Sequence, residues 1–308
     1  MSGPPLNAES TRAIRLAEFR IGRTQAGVAF HRAGLSHRSP AMPVPASPPF
    51  PSRLLSRGAT AWFIAATLGQ WAFVAFIVLF FGGPVLDGDL APLNAKPHVT
   101  GYVPGDVVGN LQFVGHALLA GLVTFAGAWQ LVPALRRRWP TLHRWNGRVF
   151  LSVALVVTLT GFYLVWVRGS QLGPASNLSI SLNGLLIVVF ALLAWRSARA
   201  RDFAAHRRHA LRAYLLVNGV WFLRIGIMLT GLVLAPLGIK IDYTGAPFIL
   251  VSFGSWMVPM AVLALYFQAE RSRHARVKVT MGALLCLLAL LTLAGSAAAI
   301  AFMWWPVL

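Results

Sequence analysis

The chain has 308 residues, of which 57% are apolar and 11% charged, and its mean hydropathy is +0.66. A soluble domain carries about 25% charged residues, and a water-soluble globule cannot hide so much apolar surface; cytosolic enzymes, disordered chains, collagens and disulfide scaffolds are excluded. A net charge of +19 would signal nucleic acid in a soluble protein, but these basic residues sit between long apolar runs, so the sign reports orientation in a bilayer and no nucleic-acid partner is expected.

The composition reads as an all-α polytopic helical membrane protein. In chain order, residues 1–58 are rich in Arg, Ser and Pro with no apolar stretch, and read as a basic, disordered cytoplasmic tail. Met42 is an alternative start, and Thr11–Arg23, with Arg12, Arg15, Arg20 and Arg23 on one arc, an alternative lipid-binding helix. Residues 59–107 hold a first span and its outer loop, 108–236 four spans expected to form a four-helix core, and 237–308 two more. The seven spans are 59–81, 108–132, 147–167, 177–195, 210–235, 247–267 and 279–303. Each is near the roughly 20 residues needed to cross hydrocarbon, where a helix satisfies its own backbone. Gly82-Gly83-Pro84, Pro133, Gly169, Gly173-Pro174 and Pro236 read as breakers, and Pro259 as a kink. Seventeen Lys and Arg in one set of connections face three in the other, Lys96, Arg168 and Lys240. This predicts N-inside, C-outside insertion in a bacterial cytoplasmic membrane, Arg outnumbering Lys as in a GC-rich genome. The lone Cys286 permits neither an intrachain disulfide nor a thiolate cluster.

Ionisable groups within spans are costly, about 2.5–3.5 kcal/mol each, and are functional candidates by default. His116 in the second span and Arg224 in the fifth lie at similar depth by helix rise. If their helices face each other they define, with Gln112, a pocket for an anionic or lipid-like molecule. Gln112, His116, Ala120, Gly127 and Gln130 share a polar-and-small stripe, which also suits a plain structural hydrogen-bond network. At the inner surface, His143-Arg144-Trp145-Asn146-Gly147-Arg148 opens the third span and His206-Arg207-Arg208-His209 with Arg212 opens the fifth. His143 with His206 or His209 can ligate a haem iron from two sides, with Arg144, Arg148 and Arg212 around the propionates. This leads to a membrane redox protein holding haem b or a quinone. The competing reading is that these basic residues anchor the protein on anionic lipid at the inner face. No nucleotide-binding, zincin or nucleophile-elbow motif is present and no carboxylate lies within a span, so no enzyme class is assigned.

The order of His116, Gly127 and Gln130, then His143-Arg144-Trp145-Asn146-Gly147-Arg148, then His206-Arg207-Arg208-His209-Ala210-Leu211-Arg212-Ala213-Tyr214 and Arg224, resembles a bacterial family of predicted membrane proteins called domain of unknown function 2306. The resemblance covers about residues 110–235 and marks His116, His143, Arg144, Arg148, His206, Arg207, Arg212 and Arg224. It implies a membrane fold and brings no ligand or activity with it.

Overall fold

The computed structural model describes residues 49–95, 100–239 and 241–308. The alternative start at Met42, the Thr11–Arg23 stretch and the loop residues Lys96, His98 and Lys240 lie outside the described residues. Within the described residues all regular structure is helical, and seven helices are long and apolar enough to cross a membrane.

Helix α1 (Phe50–Ile77) runs through a π-helical turn (Val78–Gly82) into α2 (Gly83–Asp87). It begins about two turns before the apolar run, so residues 50–58 belong to this helix and not to the tail. The reason is packing: Leu55 is buried, and a Cβ on Gly58 would lie 2.6 Å from the Gly282 carbonyl of the last helix, so only small residues allow this approach. Gly82-Gly83-Pro84 does not end the span either. The π turn resets the helix just before it, and Pro84 enters at the first turn of α2, where its missing N–H costs nothing. The chain leaves the helix at Gly88, φ 73°.

Helix α3 (Val107–Gln130) is capped by Asp106, whose carboxylate accepts the Gly109 N–H at 2.8 Å. Pro133 opens a short helix, α4 (Pro133–Arg138), before α5 (Pro140–Trp166) and α6 (Gly173–Arg199). A tight corner with Arg201 at φ 59° turns the chain into α7 (Phe203–Val217), capped by Asp202. The fifth span, expected as one helix, is two. Asn218 stops α7, and α8 (Gly219–Leu234) follows. The break survives in an apolar interior because side chains reach its loosened carbonyls: Asn218 Nδ2 donates to Tyr214 O at 2.9 Å and Asn183 Nδ2 to Leu216 O at 3.2 Å. Helix α9 (Ala246–Arg271) continues through Pro259, and α10 (Ala275–Ala299) ends in a second π turn, Ile300–Trp304.

Helix α1 packs along α10 and against α3, then α3 on α5, α5 on α6, α6 on α7 and α9, and α8 on α9 and α10. The second to fifth spans also meet through α3 and α7, where Gly127 faces Tyr214, but the core is not theirs alone. The main apolar cluster takes Phe73 and Phe76 from the first span, Val123 from the second, Phe150 from the third, Ile187 from the fourth, Trp221 from the fifth, Phe267 from the sixth and Trp304 from the seventh.

Candidate functional site

The Arg-rich ends of α5, α6, α7 and α9 come together through the α6–α7 corner. That corner brings His206 back against α6, with its Nδ1 2.9 Å from the Ala194 carbonyl. A carbonyl only accepts, so Nδ1 carries a proton, and in the neutral imidazole Nε2 keeps its lone pair. His143, in the first turns of α5, lies within electrostatic reach of His206, and its buried Nδ1 has no partner. His209 stands one turn further along α7, its ring stacked on Phe190 at 6.0 Å between centroids and its Nδ1 also unmatched. Burial, with Arg212 and Arg208 beside it, holds His209 below the ordinary histidine value. Among the described residues no three His, Cys, Asp or Glu side chains form a metal-binding group.

The arginines are distributed differently from the expectation. Arg212 lies over the rings of Phe190 and Phe267, at 5.4 and 5.8 Å, and donates to the Arg208 carbonyl at 3.4 Å. Arg207 makes a two-pronged ion pair with Glu270 on α9, both contacts 2.8 Å. Arg144 donates to Thr141 and Arg148 covers the Trp145 ring at 4.7 Å, but both remain exposed at this end. The other motif residues build the joint between α3 and α5. Gln130 donates to the His143 carbonyl, Asn146 donates to the Ala126 carbonyl, and a Cβ on Gly127 would lie 2.9 Å from Phe150 and 3.1 Å from Tyr214. Glycine there lets those two rings seat.

His116 and Arg224 do not pair. His116 Nδ1 bonds Thr160 Oγ1 on α5 at 2.9 Å, while the Arg224 guanidinium lies over Phe73 of α1 at 4.9 Å and donates to Val220 O. The two are within electrostatic reach. Gln112 is half-buried and takes no part in that contact.

Two arrangements escaped the sequence reading. Around the break at Asn218, the Tyr214 hydroxyl donates to Gln70 Oε1 at 2.7 Å, and Gln70 Nε2, Asn183 Oδ1, Asn218 Oδ1 and Trp221 Nε1 are buried without partners. The available signal was an amide inside an apolar run; a search for ionisable groups passes over it. At the opposite end, Arg168 is buried, donating to Gly101 O and Asn110 Oδ1, both at 2.8 Å, with Asp106 at 3.3 Å.

This framework, with His143 and His206 at one end and the joint built by Gly127, Gln130 and Asn146, falls within residues 113–267, which match the family model described as "Predicted membrane protein (DUF2306)". The chain belongs to this family. The match extends beyond the expected 110–235 stretch to take in α9, whose Phe267 lies beneath Arg207 and Arg212. No curated protein and no solved structure matches the chain.

Proposed function

We propose that this membrane protein is a redox protein that holds a b-type haem between His143 and His206 at its Arg-rich end. The observation that carries the reading is the tautomer of His206. With Nδ1–H donated to the Ala194 carbonyl, Nε2 is a lone-pair donor oriented by a backbone partner, the arrangement typical of a histidine that ligates a metal. The same argument favours haem over a quinone, because a quinone carbonyl needs an N–H donor and the Nε2 of a neutral His206 has none to give. His143 supplies the second imidazole; its buried Nδ1 has no protein partner. Arg144 and Arg148, exposed at this end, and Arg212 are the groups that would meet the propionates. A haem held there would accept and pass on single electrons. The chain's own part is to fix the imidazoles, to neutralise acid groups with Arg144 and Arg148, and to shield one side with Phe190.

The test is the absorption spectrum of protein purified in mild detergent after expression with ample haem supply, oxidised and dithionite-reduced. A Soret band with a sharp α-band on reduction is expected, lost in His143→Ala and in His206→Ala and retained in His116→Ala. A colourless protein, or a spectrum indifferent to both inner substitutions, refutes the assignment.

A further inference from the structure

Away from the imidazole pair, the seam between α1, α8 and α10 collects buried donors without a hydrogen-bond partner beside one cation, Arg224. Arg224 has five N–H groups; Val220 O takes one, at 3.0 Å, Tyr243 lies within electrostatic reach, and among the described residues no carboxylate lies within ion-pair distance of it. One turn earlier on the same face, Trp221 is wholly buried with its indole N–H unmatched. Its ring abuts Gly69 beside the unmatched hydroxyl of Ser296. Gln70 Nε2 is unmatched next to it, and Trp304, carried in by the second π turn, stacks on Phe73 at 5.3 Å with its own N–H unmatched. The unmatched acceptors, on Asn183 and Asn218, belong to the helix break; beyond it the seam presents one positive charge, N–H donors and a hydroxyl. Buried donors and charge left in this state cost several kcal/mol in hydrocarbon. A set of donors around a single cation calls for an acceptor carrying one negative charge.

We propose that this seam binds a carboxylate monoanion on an apolar body, of the long-chain fatty-acid class, through Arg224. The planar guanidinium fork matches a carboxylate in two-pronged geometry, and a monoanion balances the one charge where a phosphate dianion would not. The apolar body follows from location. A small free anion is scarce inside a bilayer, whereas an amphiphile arrives from the lipid, and the wall beneath Arg224 is aromatic: Phe73, with Phe76 and Trp304 stacked alongside.

The test uses full-length protein, purified and delipidated in a maltoside detergent, with oleate as the probe. Native mass spectrometry counts adducts, and quenching of tryptophan fluorescence follows affinity. Saturable binding of one oleate is expected, weakened about tenfold or more in Arg224→Gln, the loss of one charge-assisted contact. Arg224→Lys, which keeps the charge and loses the fork, should weaken it by a smaller factor, and Trp304→Phe likewise. Each variant is compared only where its melting temperature matches the parent; if Arg224→Gln does not fold, Arg224→Lys and Trp304→Phe decide. Oleyl alcohol should bind far more weakly, and millimolar acetate should not displace oleate. Equal binding of oleyl alcohol, or of oleate by folded Arg224 and Trp304 variants, overturns the site. Displacement by acetate overturns the amphiphile as its source.

Discussion

The hydrogen bond from the Tyr214 hydroxyl to Gln70 Oε1 ties α7 to α1 beside the helix break, 2.7 Å long and fully buried. Tyr214→Phe removes the partner of Oε1 while Nε2 is already unmatched, so a whole carboxamide is left unpaired. An unsatisfied buried group costs about 1–3 kcal/mol, and side-chain bonds inside membranes average nearer about 0.6 with a maximum of about 1.7. Together these place Tyr214→Phe at about 1–2 kcal/mol of lost stability. Gln70→Leu strands the hydroxyl but also removes the unmatched Nε2 from the interior, and the two effects oppose each other, leaving a loss of about 0–1 kcal/mol. The double variant puts two apolar groups in contact and should lie close to the parent, which makes the coupling about 1–3 kcal/mol. Unfolding of the four proteins by SDS in mixed micelles measures the cycle. Losses that simply add, to within about 0.5 kcal/mol, would refute the argument that unmatched polarity sets the cost here.

Two further outcomes follow from groups outside this cluster. Arg168→Gln removes both 2.8 Å donations to Gly101 and Asn110 and the contact to Asp106; it should cost about 1–3 kcal/mol and speed amide exchange over residues 100–110, and unchanged exchange there would show that the contact holds nothing. His209 is kept below its ordinary value of 6.5 by burial first and by Arg212 and Arg208 after it. The unfolded chain therefore takes up this proton more readily than the folded one, and stability present above that value is lost as the pH falls below it. The melting temperature should drop between about pH 7 and about pH 5, less steeply in His209→Asn; identical slopes would remove His209 from the explanation.

Much of the molecule was legible one residue at a time. The number of spans follows from the length of each apolar run against the thickness of hydrocarbon, and the family pattern was carried by His143, His206 and their neighbours. The candidate list was equally accessible, because a histidine or arginine inside a span is rare enough to stand out. The depths of His116 and Arg224 follow from helix rise, but their partners do not. Rise fixes height along the membrane normal and leaves rotation about the helix open, and packing turned His116 toward Thr160 and Arg224 toward Phe73. The break at Asn218 was hidden for a related reason. Its carbonyl partner on Asn183 lies in another helix, and a helix can stop inside an apolar interior only where a neighbour supplies the missing hydrogen bonds. The proton on His206 Nδ1 depends in the same way on the Arg201 corner, which folds Ala194 back against it. Which polar atoms end up paired and which stay unmatched is a property of contacts between distant segments, and only the tertiary structure decides it.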